Sequence, residues 1–237
     1  MKDITVIMPV FIINEELLQL TKNAINSLGE VNLFIIDNAS TIGGGYLRAM
    51  ADIYIRNKEN LGYAKAVNQG LKLDRTKLIG IVNNDTRISP NWQEVAKEIF
   101  ALDDKIYSCH FKMTDYDVPF SYGREITLIG KERWCTSSFF VIKKKISWPQ
   151  FYDENFLNSY DDYDYWLRVR NNGWKQAYTN KAVYQHHHSF TQKLIPEREE
   201  NNKRNYEYFK KKWGEFPDEG FAKEFPEQMK VPYYEGF

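Results

Sequence analysis

Apolar residues in the first hundred positions fall into two alternating patterns, short unbroken runs and helically spaced sets. "ITVIMPVF", residues 4 to 11, is a nearly continuous run, which predicts a strand buried on both faces. The next segment, "NEELLQLTKNAINSL", carries apolar side chains at 17, 18, 20, 24, 25 and 28. That spacing predicts a helix, and Asn14 followed by Glu15 and Glu16 suits its N-terminus. "VNLFII" (31–36) predicts a second strand ending in Asp37-Asn38-Ala39-Ser40. Gly43-Gly44-Gly45, a short helix and "ADIYIR" as a third strand follow. "GYAKAVNQGLKL" predicts a helix, and "KLIGIV" a fourth strand that stops at Asn83-Asn84-Asp85. Strand and helix alternating at this spacing imply a parallel sheet with right-handed crossovers.

The second half is less regular. Apolar positions 92, 95, 96, 99 and 100 predict a helix from Pro90 to Leu102. Residues 106 to 145 read as strands and loops, including "SSFFVIKKK". "SYDDYDYWLRVRNNGW" opens acidic and becomes a helix stopped by Gly173. "QAYTNKAVYQHHHSF" predicts another strand, and "EREENNKRNYEYFKKKWG" a charged terminal helix ended by Gly214. With no internal repeat and no flexible linker, the expectation is one domain over residues 1–214 that ends in a terminal helix (196–214). Residues 215–237, with three prolines and no periodicity, form a tail.

Composition narrows the possibilities. At 237 residues and 43% hydrophobic, the chain can bury a sizeable core. Lys plus Arg and Asp plus Glu are equal at 32 each, so no global field favours nucleic acid or an anionic membrane. Aromatics at 16% are in surplus, which suits stacking surfaces as well as crowded packing. Cys109 and Cys135 show neither a pairing pattern nor metal-ligand spacing and read as reduced core residues of a cytosolic protein. "MKDITVIMPVFIINEE" lacks the features of a signal peptide or membrane span, so any membrane contact is expected to be peripheral.

Ligands in parallel sheets sit at the carboxyl ends of strands, and polar residues cluster there in this chain, at 37–40, 57–60 and 83–85. Asp85, the Asp161-Asp162 pair with Asp164, and His186-His187-His188 supply the oxygen and imidazole groups that a hard divalent cation takes. Each has a plain alternative. Asp85 can end a turn, and paired Asp before a helix can cap it. Their combination on a parallel sheet favours a site.

Several segments, in order, resemble a known family. "ITVIMPVFIINEELLQLTKNAINSL", "FIIDNAS", "NKENLGYAKAVNQGL", "IVNND", "DENFLNSYDDYDYWLRVRNNGW", "AVYQHHHSFT" and "NKRNYEYFKKKWG" are similar to the motifs of family 2 glycosyltransferases, most of all their rhamnosyltransferase-like branch. The resemblance runs from residue 4 to about residue 214. It implies an α/β GT-A (Rossmann-like) fold, a mixed, mostly parallel central sheet flanked by helices in a single domain, with a nucleotide-binding half (1–100) and an acceptor-binding half (101–195).

The resemblance also implies roles. Pro9 and Val10 would lie along the nucleobase, with Asp37 accepting from the uracil or thymine imide. Asn60, Gly62, Lys65 and Asn68 would contact the nucleotide, although Asn60 can also cap a helix and Lys65 can also be a solvated lysine. Asn83 and Asn84 would reach the ribose or the ion's waters. Asp85 would bind Mn²⁺ or Mg²⁺ together with His186, or else His188 on the same side of an extended strand. Asp162 would be the general base, with Asp161 beside it replacing a more usual Glu and contacting the acceptor. Ser137 and Ser138 would line the acceptor site.

The implied reaction is inverting transfer of a sugar from a UDP- or dTDP-linked donor. The acceptor would be the hydroxyl of a glycan, a lipid-linked glycan or a protein; the neutral charge makes nucleic acid the least favoured acceptor. A nucleotidyltransferase would carry a Gly-rich basic loop after the first strand, where this chain has "PVFIINEE". A non-catalytic nucleotide-sugar-binding module is the other alternative.

Overall fold

A computed structural model of the chain describes residues 2–116, 118–129, 138–144, 152–187 and 198–214. The strands are β1 (Ile4–Val10), β2 (Asn32–Asp37), β3 (Ile53–Arg56), β4 (Leu78–Val82), β5 (Thr86–Ile88), β6 (Ile106–Thr114), β7 (Ile126–Ile129), β8 (Phe139–Lys143) and β9 (Lys175–His186). The helices are α1 (Glu15–Ser27), α2 (Gly44–Met50), α3 (Tyr63–Leu73), α4 (Trp92–Leu102), α5 (Asp161–Asn171) and α6 (Arg198–Trp213). All strands belong to one mixed sheet of order β3-β2-β1-β4-β8-β6-β9-β5, with β7 also paired to β9. The β3-β2-β1-β4 half is parallel throughout. β8 then runs antiparallel between β4 and β6, while β6 and β9 are parallel.

β1 shows why its run of apolar residues is unbroken. Ile4, Val6, Met8 and Val10 face a core formed with α1 and α4, whereas Ile7 faces a second core formed with α3 and α5. The sheet is therefore covered on both sides, a three-layer α/β/α arrangement. α1 begins where Asn14 Oδ1 accepts the Leu17 amide at 2.9 Å, and it buries Leu17, Leu20, Ala24 and Ile25. Full burial of each large aliphatic side chain contributes about 1.5–3 kcal/mol. On the other side α3 sits so close to β1 that a Cβ on Gly70 would lie 2.6 Å from the Ile7 Cγ2. Glycine at that position fixes the separation of the two layers.

Two features depart from the pattern reading. β5, three residues long, turns the chain back after Asp85 and pairs antiparallel with β9, Thr86 opposite His186. The second strand ends one residue later than expected and includes Asp37. Cys109 is buried in β6, while Cys135 and the tail after residue 214 lie outside the described residues. Among the described residues no helix is long and apolar enough to cross a membrane.

Candidate active site

At the carboxyl ends of β1 and β4, a cavity of about 400 Å³ opens between the sheet and the start of α5. One wall comes from β1 and β4 with the end of β9, and the other from residues 158–163. Groups far apart in sequence therefore meet: Asp85, His186, Ser138, Asp161 and Asp162 all line the same space.

The sheet wall is built by strand pairing. Val82 lies opposite Phe139 in the β4–β8 ladder, and the next amide, Asn83 N, donates to the Ser138 carbonyl at 2.8 Å. The β5–β9 pairing puts His186 beside the turn before Thr86, where the His187 amide donates to the Asp85 carbonyl at 3.1 Å. His186 Nε2 then stands 3.1 Å from Asp85 Oδ1 and 3.5 Å from Asn83 Nδ2. Its other nitrogen, Nδ1, is 3.1 Å from the Ser138 hydroxyl. With Nδ1 donating to Ser138, the Nε2 lone pair faces Asp85, the arrangement in which a histidine ligates a cation. Asn83 Oδ1 is buried there with no hydrogen-bond partner among the described residues. A carboxylate, an imidazole nitrogen and an uncommitted amide oxygen on one wall fit a hard or borderline divalent cation such as Mg²⁺ or Mn²⁺. Among the described residues no three His, Cys, Asp or Glu side chains gather around one point, so such an ion would depend on Asn83, ligand oxygens and water to complete its shell.

The opposite wall is the first turn of α5. Asp162 is half-buried, and its Oδ1 accepts the Tyr163 amide at 2.9 Å. Asp161 is 5% exposed, and its Oδ2 has no hydrogen-bond partner among the described residues. Burial, reinforced by the neighbouring Asp162 and opposed by backbone amides, pushes the Asp161 carboxyl up to about 8. Tyr63 also faces this wall, its phenol held well above the usual range by burial and by Asp161 and Asp162. The loop before α5 is strained, for Asn158 and Tyr160 adopt φ of 59° and 64°. Left-handed backbone at non-glycine residues clusters at ligand sites, and both residues line the cavity.

The residues expected to touch a nucleotide divide into two groups. Pro9, Val10, Asn60, Asn83 and Asn84 line the cavity, although Asn84 Nδ2 is spent on the Thr21 hydroxyl at 2.9 Å. Asp37 does not line it. That side chain is fully buried and accepts from the Ser40 amide at 2.7 Å, the Tyr54 hydroxyl and the Arg56 guanidinium. Asn38, the next residue, faces the cavity instead, its amide held between the Gly62 carbonyl and Asn57. Asn68 is also spoken for, pairing with the Tyr152 backbone in both directions and with Glu154. Gly62, at φ 85°, caps α3 and packs against Leu157 and Asn158, and Lys65 is half-buried away from the cavity lining. Ser137 and His188 lie outside the described residues.

Sequence reasoning missed Phe11, Asn38, Tyr63, Asn158, Ser159, Tyr160 and Tyr163 on the lining. It also missed what holds the loop. Asn205 of α6, fully buried, accepts the Leu157 amide at 3.2 Å and donates to the carbonyls of Leu157 and Ser159 at 2.8 and 3.1 Å. An asparagine within a charged helix gave no local sign of this role.

Comparison with known proteins places these features in a family. Residues 5–166 match the family described as glycosyl transferase family 2. S. aureus TarS (residues 1–349, in complex with UDP) superposes with a TM-score of 0.62 at 14% identity, covering 89% of this chain and 71% of that one. The mannosyltransferase PcManGT from Pyrobaculum calidifontis, in complex with GDP-Man and Mn²⁺, gives 0.63 at 13% identity over 87% and 64%. GalNAc-T7 with UDP, GalNAc and Mn²⁺ gives 0.62 at 12% identity over 78% and 44%. These identities speak for a shared GT-A-like fold alone, and this chain spans less than two thirds of the second and third structures. A search of curated protein sequences found no match. With more than half of its residues matched by the family model, and with a mixed α/β sheet that brings Asp85, His186 and the Asp161-Asp162 pair to one cavity, the chain belongs to glycosyl transferase family 2.

Proposed function

We propose that the protein is an inverting, divalent-metal-dependent glycosyltransferase that moves a hexose or rhamnose from a UDP- or dTDP-linked donor to an acceptor hydroxyl. One observation carries this reading. The Asp85, His186 and Asn83 wall faces the Asp161-Asp162 wall across a single cavity at the sheet's carboxyl edge. The nucleoside rests along Pro9 and Val10, beside the neutral amides of Asn38 and Asn60, whose remaining N–H hydrogens are the groups left to meet its polar edges.

Asp85, His186 and Asn83 would hold Mn²⁺ or Mg²⁺, which when bound supplies Lewis-acid stabilisation of the charge that develops on the leaving diphosphate. Ser138 holds the His186 ring in its tautomer. Asp162, the more open of the pair, takes the proton of the acceptor hydroxyl. The hydroxyl oxygen attacks the anomeric carbon from the face opposite the diphosphate, the bond to the diphosphate breaks, and the configuration inverts. Tyr63, Tyr160 and Tyr163 offer apolar ring surface to a sugar on the acceptor side.

The test is thermal unfolding of the full chain against a panel of UDP- and dTDP-sugars, with and without Mn²⁺. Ligand that binds the folded state raises the midpoint by mass action. The expected result is a rise for one donor class that grows with the metal. No rise with any nucleotide sugar removes the proposal.

A further inference from the structure

Asp161 has an environment that its part in the proposed reaction does not account for. Its carboxyl is 5% exposed, and Oδ2 is sealed from solvent without a hydrogen-bond partner among the described residues. Among the described residues, the ionisable groups that bear on it most are acids and phenols. From α5 come Asp162 beside it and Asp164 one turn on; from α3 comes Tyr63; from the segment before α5 comes Tyr152. Among the described residues lining the cavity, none is a lysine or an arginine. Among the described residues, backbone amides of the helix's first turn favour an ionised Asp161, and burial outweighs them. An oxygen so placed cannot keep a full negative charge cheaply, and a carboxyl in that position stays protonated.

We propose that the pair at the start of α5 works with a single proton, held by Asp161, so that Asp162 is the only anion on that wall. Asp161 is then a positioning residue rather than a second base. Kept neutral, it spares the cavity a second negative charge facing the diphosphate of the donor. The proton belongs to the resting enzyme and no covalent step is added. Burial acts in the same direction, holding the Asp161 carboxyl up to about 8. Above that pH the proton leaves, and the new charge repels the anionic donor across the cavity.

This inference rests on the transferase reading for its kinetic consequence but not for its direct test. Infrared spectra of the full-length protein with ¹³C-labelled aspartate, without added metal, should contain a protonated-carboxyl carbonyl band at pH 7. The band should titrate away with a midpoint near 8. Asp161→Asn should delete it, and Asp162→Asn should leave it. Kinetically, the donor KM should rise across the same interval while kcat changes less. In Asp161→Asn that alkaline rise in KM should vanish, and transfer at pH 7 should fall less than in Asp162→Asn. A wild-type spectrum with no such band at pH 7, or a band that survives in Asp161→Asn, overturns the proposal. Because the wild-type titration needs no variant, a misfolded Asn form does not shield it. An intact band with no transfer from any donor would sink the function and leave the proton assignment standing.

Discussion

Asp161 and Asp164 lie one helical turn apart on α5, both buried, in opposite surroundings. Asp164 is fully buried and surrounded by donors: Arg168 Nε at 2.9 Å, Lys212 Nζ at 2.7 Å and the Trp213 indole at 2.8 Å. Lys212 also reaches Asp153 at 2.6 Å, so α6 is pinned to α5 and to the loop before it by one charge network. Asp161, facing the cavity, has an oxygen with no hydrogen-bond partner among the described residues. The Asp164 carboxylate is fully engaged on the side of α5 toward α6, and the Asp161 carboxyl, toward the cavity, is not. Groups held in such a state mark the places where a ligand completes the arrangement.

Three substitutions separate the faces. Asp162→Asn should have the largest effect on turnover, a loss of about a hundred- to ten-thousand-fold in kcat, as expected when a general base is removed. Nucleotide binding, followed by the ligand-induced rise in the unfolding midpoint, should survive; unchanged turnover would take Asp162 out of the mechanism. Asp164→Ala acts through the fold. It removes the ion-pair partner of the buried Arg168, leaves Lys212 with Asp153 alone, and should cost about 3–5 kcal/mol in urea unfolding. A loss below about 1 kcal/mol, the range of exposed ion pairs, would show that the network is not a support.

The smallest effect concerns stability against pH. Asp161 titrates higher in the folded chain than in the unfolded one, so the folded state binds more protons between the ordinary carboxylate range and about 8. Unfolding free energy contributed by this group therefore falls as pH rises through that window. Asp161→Asn, which cannot ionise, should match the wild type near pH 4 and exceed it at pH 8 by about 1–3 kcal/mol, the penalty of an unsatisfied buried group. Equal stability at both pH values would mean that the carboxyl is not strained in the fold.

Much of the first half of the chain was legible, because buried parallel strands and their crossover helices leave long unambiguous patterns. β1, β2 and β4 are continuous apolar runs, and α1 and α3 carry helical spacing. Strand register was not legible. Asp37 sits directly opposite Arg56 in the β2–β3 ladder and is consumed by it, which leaves Asn38 on the cavity. Nothing in "FIIDNAS" separates those two residues, because the decisive partner lies 19 positions away. Asn68 misled for the same reason, its bonds going to residues 84 and 86 positions on. β5 is too short to show a period, and the α6 asparagine that holds the loop of Asn158 and Tyr160 lies some 46 positions further along the chain. The opposition of Asp85 and His186 to the acidic turn of α5 could be anticipated from motifs. The unequal burial of Asp161 and Asp162 could not, for it depends on which side of a helix turn meets the sheet.

The division of the cavity into a cation wall and a proton-accepting wall is tested most directly by electron paramagnetic resonance of Mn²⁺ titrated into the protein with UDP. Wild type and Asp162→Asn should both deplete the free-ion signal, and Asp85→Ala should leave it in solution. Equal depletion by Asp85→Ala and wild type, or loss of binding in Asp162→Asn alone, would contradict the account.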